Sequence, residues 1–282
     1  DALDAGSLDW TLVPPSRAGA VAEARGRDGF VPSLAQLFFG FNLADPAFAD
    51  VRFRRAIVAA VDREAIVRAV WPGYASASQG LVPAGVAGYD PARCGAGCRP
   101  ASDRAEVAAM LAEAFPPGSG TAVPEVVLDH ADVPEETALA RAVADQLAAV
   151  GIPARLRPHP AEDLAAFAVS GEQALVRLGW VGAWPSSEAY VEAQFRTGSP
   201  DNVTGFSDPA VDQLLDAAAS PAGADPAERR RLVGEAESLV LAAAAILPVA
   251  QFDLLSASSD RVRDLVLDVT GSFDAERVWL AR

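Results

Sequence analysis

The side chains able to do covalent or acid–base chemistry are few: two histidines, His130 and His159, two cysteines, Cys94 and Cys98, and no lysine among 282 residues. No GxSxG, HExxH, Walker A or GxGxxG pattern appears, so nucleophile activation, zinc-assisted hydrolysis and phosphate cradling have no motif to rest on. Carboxylates would have to carry any acid–base step. Glu135 with Glu136, and Asp201 with Asp208, pair on paper, but in a chain with 38 acidic residues against 23 basic ones such pairs read as solvated surface. His130 closes the run VVLDH, at a strand end where α/β proteins place ligands, although a surface or hydrogen-bonded histidine is its plainer reading. No enzyme activity and no catalytic residue are expected. Cys94 and Cys98, in RCGAGC, lack the second cysteine pair or neighbouring histidines of a zinc site. They are a candidate local disulfide if the protein is exported; no metal or other cofactor is expected.

The residues suited to binding gather in LGWVGAWPSS, residues 178–187, where Trp180 and Trp184 stand four apart, separated by Gly182 and followed by Pro185. Two such rings make either a stacking platform for a ligand or ordinary core.

Positioning that stretch requires a framework, and half of the residues are apolar, enough for a sizeable core. The net charge of −15 repels phosphate backbones, so nucleic acid is excluded as a partner. No apolar run reaches the roughly 18–20 residues a spanning helix needs. AQLFFGFNL, residues 35–43, reads as a buried strand. In DPAFADVRFRRAIVAAVDREAIVRAVW, Phe53, Ile57 and Val61 recur at helical spacing and leave Arg52, Arg54 and Arg55 for other faces. Asp62 offers an N-cap for the next helix. Residues 72–101, rich in glycine and proline, read as a long surface loop. Beyond it helices and strands alternate: a helix near 102–115, PEVVLDH, a helix closed by Gly151 at its C′ position, IPARLRP, a short helix at 162–167, and ALVRLGW leading into the tryptophan motif. Two further helices open with Asp-Pro at 208 and 225, and ILPVAQFDLL and DLVLDVTG read as strands. The fold class is α/β, a mixed sheet with flanking helices.

The run from Phe39 to Pro83, FGFNLADPAFADVRFRRAIVAAVDREAIVRAVWPGYASASQGLVP, resembles family 5 extracellular solute-binding proteins, the peptide, dipeptide and nickel receptors of ABC importers. In that family an fN strand precedes P-f-a-D-v-r-v-R-q-A and a-i-D-r-e-a-i. Asn42, Pro46, Asp50, Arg52, Arg55, Ala56, Asp62 and Ile66 fall in register, and YDP, QLAAVGI, GW and NVTGFSDPAVDQLL follow in the same order. The resemblance spans nearly the whole chain but only about the second half of a family member. It implies a cut-out piece: residues 1–34 as the crossover or hinge segment from a missing N-terminal lobe, 35–255 as the ligand-binding C-terminal lobe of a two-lobed, class II periplasmic-binding-protein-like fold, and 256–282 as a return segment.

The function implied is the substrate-binding component of an ABC importer, capturing a small-molecule or peptide-like solute by lobe closure, with the missing lobe and a membrane permease as partners. Its place would be extracellular or at the cell envelope, lipid-anchored in the full-length protein, and there the Cys94–Cys98 bridge gains support. In peptide-binding members the GW is followed by an aspartate that takes the ligand's α-ammonium, a group that needs an ionic partner once desolvated. Here Ala183 stands at that position. The departure motivates an alternative, a transport-inactive receptor-like protein serving as a regulatory or interaction module of the envelope. Trp180 matches the family tryptophan that lines the cavity, and Trp184 adds a second ring, which suggests an apolar, aromatic or sugar-like ligand. Arg177 sits where some members meet the ligand carboxylate. Strand alternation points it away from Trp180, so both reach the cleft only if Gly179 breaks the strand. Asn202, before GFSDP, is a further ligand-binding candidate, with an Asx turn as its duller explanation.

Overall fold

Two long apolar runs form the middle of the sheet. A computed structural model describes residues 2, 3, 5–94, 103–221 and 225–281. In it β1 (Trp10–Leu12), α1 (Ala18–Arg25) and β2 (Phe30–Phe41) are followed by α2 (Val51–Ala60), α3 (Arg63–Val70) and β3 (Ala75–Ala77). Then come α4 (Arg104–Ala114), β4 (Val126–Ala131), α5 (Pro134–Ala148), β5 (Ala154–His159), α6 (Leu164–Ala168) and β6 (Leu175–Val181). The chain continues through α7 (Glu188–Phe195), α8 (Pro209–Ala219), α9 (Pro226–Ala242) and β7 (Ile246–Ser258), and β8 (Val262–Arg263) pairs with β9 (Trp279–Leu280).

The main sheet runs β1-β7-β2-β6-β4-β5, with β3 sharing the β1 edge of β7. It is mixed: β4 pairs in parallel with β5 and β6, while β2 is antiparallel to both its neighbours. The parallel part carries α5 as its crossover, the arrangement expected of βαβ units. Leu37, Phe39 and Phe41 of β2 pack with Phe53 and Ile57 of α2 and with Val240 and Leu241 of α9 in one contiguous core. Aspartates start five of the helices: Asp50, Asp62, Asp103, Asp208 and Asp225 each accept from a backbone N–H of the first turn, satisfying donors that no helical carbonyl can reach.

Four features differ from the sequence reading. The central strand begins at Phe30, five residues early, because a register shift between Pro32 and Gln36 absorbs a proline that has no N–H to give the ladder. Arg54 is not on an outer face: it is buried, and its guanidinium donates to the carbonyls of Phe48, Ala243 and Ala244. The stretch from 72 to 94 is not a surface loop throughout, since β3 lies in it and Leu81, Val82 and Val86 are buried. DLVLDVTG is not a strand; Asp264 has φ 58° and Asp268 gathers Thr270 and Ser272 into a turn.

A buried ionic knot ties the parallel strands together. Asp129 on β4 is fully buried and accepts from Arg157 Nη2 at 2.8 Å and from the Ala174 N–H at 2.9 Å, with His159 Nε2 at 2.7 Å. Arg157 and His159 both lie against the Phe167 ring of α6. His159 therefore serves the fold of this corner rather than an open site.

Candidate functional site

β6 sets the geometry of the motif. Its pairing with β2 continues without a register shift from Leu175 to Val181, so Gly179 does not break the strand and alternation holds. Arg177, Gly179 and Val181 share one face, Val176, Leu178 and Trp180 the other. On the first face Gly179 and Val181 are exposed, Val181 at 67%. Ala183 is exposed just beyond the strand end. This row leads along an open sheet face to a turn with no carboxylate until Glu188.

Arg177 is neutralised within the chain. Its Nη2 lies 2.9 Å from Glu136 Oε1 in the first turn of α5, and the other carboxylate oxygen of Glu136 accepts from the Ala131 N–H at 3.0 Å. Burial pushes the Arg177 pKa down, and the neighbouring charges of Glu136 and Glu135 oppose that shift. Glu135 in turn accepts from the indole N–H of the fully buried Trp71. Neither acid is merely solvated surface. Sequence reasoning named both as a pair, but nothing in their spacing pointed to Arg177, more than forty positions away.

His130 belongs to the same region. Parallel pairing sets Leu128 beside Leu175 and Asp129 beside Val176, so His130 shares the face of Arg177 one step beyond the last paired residues. It is buried, with Nδ1 2.7 Å from the Ala131 carbonyl and Nε2 without a hydrogen-bond partner among the described residues. A carbonyl only accepts, so Nδ1 carries the proton of this contact.

The other candidates separate. Trp180 is half-buried against the core and donates its indole N–H to the Ala189 carbonyl of α7 at 2.6 Å. Trp184 is 55% exposed and stands at a cavity of about 320 Å³ walled by Glu188, Leu215, Ala218, Arg229 and Val233, between α7, α8 and α9. Asn202 organises its own loop: its amide nitrogen donates to the Arg196 and Phe206 carbonyls, and its oxygen accepts from the Thr204 hydroxyl and the Phe206 N–H. Its side chain is used locally, as an Asx-type turn would use it. Cys94 is buried, while Cys98 lies outside the described residues. No group of three or more metal-ligating side chains occurs among the described residues.

Gly182 fixes where the turn leaves the sheet. A Cβ there would lie 2.5 Å from the hydroxyl and 2.6 Å from Cζ of the fully buried Tyr190, whose hydroxyl donates to the Leu34 carbonyl at 2.9 Å. Burial pushes the Tyr190 hydroxyl up to about 12, so it remains a donor. Gly182→Ala is expected to cost about 2 kcal/mol by overpacking, measured by urea unfolding. A loss below about 0.5 kcal/mol would mean that the ring yields freely.

The comparisons with known proteins bear on this whole face. Residues 1–202 match the family model for bacterial extracellular solute-binding proteins, family 5 Middle. The probable deoxycholate-binding periplasmic protein YgiS of Escherichia coli (strain K12) is 27% identical over 87% of this chain and 45% of its own length. The probable di/tripeptide-binding protein 5 of Pseudomonas aeruginosa (strain UCBPP-PA14) is 26% identical over 89% of this chain and 47% of its own. The structure of HbpA2 from Haemophilus parasuis superposes with a TM-score of 0.86 at 22% identity, covering 99% of this chain and 55% of that one; at that identity the likeness speaks for the fold. The chain spans about half the length of the curated relatives it matches. With the register of Asn42, Asp50, Arg55 and Asp62, the mixed sheet and the family match in agreement, the chain belongs to the bacterial extracellular solute-binding proteins of family 5.

Proposed function

We propose that this chain is the C-terminal lobe of an ABC-import solute receptor and forms one wall of its ligand cleft. The solute is small or peptide-like and is enclosed when a second lobe closes over it, a step that desolvates it and makes affinity depend on both halves. The receptor works outside the membrane, lipid-anchored, and hands its solute to a permease. Among the described residues no helix is long and apolar enough to cross a membrane, which accords with an external binding role. The relatives are binding proteins, and binding rather than turnover is the role proposed.

The observation that carries the reading is the open row Arg177, Gly179, Val181, Ala183 along the C-terminal end of β6, on the face that His130 and Glu136 share. Arg177 and Ala183 are proposed to face the solute, Trp184 to stand beside it, Trp180 to hold the strand from behind, and Asn202 to shape the adjoining loop. An internally neutralised Arg177 and an apolar residue at 183 leave this row without a carboxylate for a free α-ammonium. The preferred solutes therefore lack one: amino-blocked peptides, or amphipathic molecules with apolar surface.

Thermal-shift screening of the full-length receptor tests this. A solute present at about 100 times its dissociation constant stabilises by about 2.7 kcal/mol, which raises the melting temperature by about 2–3 °C in a receptor roughly twice the length of this chain. Amino-blocked peptides or deoxycholate should do so, and free-amine dipeptides should not. A larger shift with free-amine dipeptides would overturn the ligand class. Silence across the panel, with a protein partner recovered instead, would overturn the receptor role.

A further inference from the structure

Glu237 sits in α9, only 2% exposed, and bonds to none of the residues of the β6 row. Its Oε1 accepts from two successive backbone N–H groups, Leu81 at 3.0 Å and Val82 at 3.2 Å, while its Oε2 is buried without a hydrogen bond. The segment it grips, residues 78–94, is a strap laid across the helix layer. The Ser78 carbonyl accepts from the buried Arg63, and the Ala84 N–H donates to Gln251. Farther along, Ala87 pairs with Ser186: its N–H donates to the Pro185 carbonyl at 3.3 Å, and its carbonyl accepts from the Ser187 N–H at 3.0 Å. Gly88 lies so close to Ser187 that a Cβ would meet its Oγ at 2.7 Å. The strap thus runs from Glu237 to the back of the turn that presents Ala183 and Trp184.

We propose that Glu237 is a positioning residue for the 182–187 turn, and that the charge on its carboxyl, carried through the 80–88 strap, sets how firmly that turn is held. The position of the turn is a property of this chain alone; only its consequence for a solute rests on the reading of this face as ligand-binding.

The direction follows from what surrounds the carboxyl. Arg93 faces it, with Nε 3.7 Å from Oε2, and Asp90 lies behind Arg93 at 3.6 Å from the same nitrogen. These are the charged groups that bear on it; the strap contributes the Leu81 and Val82 N–H groups. Burial pushes the carboxyl up to about 7, overcoming the N–H donors and Arg93, which favour the ionised form. The closed strap therefore prefers the protonated acid, and a lifted strap, in which water reaches the carboxyl, prefers the anion. Protonation at the orphaned Oε2 leaves Oε1 free to accept both N–H groups. By linkage, strap closure is strongest below the ordinary carboxylate range and weakens as pH rises toward and through about 7.

Hydrogen exchange of the complete chain reads this directly. After correction for intrinsic rates, protection of the Leu81, Val82, Ala87 and Ser187 amides should fall together by roughly 10- to 100-fold between about pH 5 and pH 7.5. Glu237→Gln keeps the acceptor and removes the charge, and should flatten the profile. In Gly234→Ala the new Cβ occupies the place of the Arg93 guanidinium; the carboxyl stays without its cation, so the fall should extend to higher pH. A flat profile in the unsubstituted protein, or an undiminished fall in Glu237→Gln, would falsify the role of the carboxyl. A fall at Leu81 and Val82 with Ala87 and Ser187 unchanged would break the link to the turn.

Discussion

Asp129→Ala is expected to lower the free energy of unfolding by about 3–5 kcal/mol, the cost of breaking a buried pair by removing one partner. The carboxylate is fully buried and meets three groups on two other strands: Arg157 and His159 on β5 and the Ala174 N–H at the entrance to β6. Alanine would leave the guanidinium facing an empty site, remove the acceptor of a buried backbone N–H and free the ring of His159. The Ala174 N–H cannot turn to water without loosening the β4–β5–β6 corner, whereas the Arg157 side chain, 32% exposed, keeps partial access to solvent. Arg157 would keep its hydrogen bond to the Glu172 carbonyl and its place over Phe167, which bounds the damage. Asp129→Asn, which retains an acceptor for Ala174 but not the charge, should lose about half as much. Urea unfolding at neutral pH decides the matter. A loss under about 1 kcal/mol for alanine would mean that this corner is held by its apolar contacts alone. Because β4 and β6 also carry His130 and Arg177, loss of this knot should disturb the proposed ligand face together with stability.

Arg54→Met is expected to cost about 2–4 kcal/mol, the loss of several charge-assisted hydrogen bonds to carbonyls that stay buried. Arg54 donates from Nη1 to the Phe48 carbonyl at 2.6 Å and from Nε to those of Ala243 and Ala244 at 3.2 and 3.1 Å. The last two close α9, where helical carbonyls have no N–H partner and a positive charge is favoured. Burial, with Arg55 alongside, lowers the Arg54 pKa, yet the surrounding carbonyls give the cation its solvation. Ala244 sits at φ 46°, a conformation few non-glycine residues adopt, so this turn depends on outside support. Methionine fills much of the volume and supplies no donor. Lysine restores the charge with fewer donors and should recover part of the loss. Equal stability of the methionine variant and the parent protein would show that the carbonyls find other donors.

These two residues mark the limit of what the sequence discloses. The helical spacing of Phe53 and Ile57 sets Arg54 on an opposite or flanking face and says nothing of its burial. Its burial is decided by the end of α9, nearly two hundred positions away. Asp129 carried no expectation at all, although His130 beside it did. Glu136 was recognised only as half of an acidic pair, and Glu237 not at all. The tryptophans were legible as a motif, but which way each ring points depended on whether β6 kept its alternation past Gly179, and continuous pairing with β2 answered that.

What the sequence determined by itself is the local and the periodic: the aspartate caps, the Asp-Pro helix starts, the apolar runs of the central strands, and the spaced residues that identify the family. These are written within a few positions of one another, since a helix turn or a strand pleat relates neighbours only. The tertiary structure alone decided which charges are buried and with whom: Asp129 with Arg157, Arg177 with Glu136, Glu237 with the strap. Such pairings have no period. A buried ion or carbonyl must find a partner, and the partner is whatever the packed chain brings within about 3 Å.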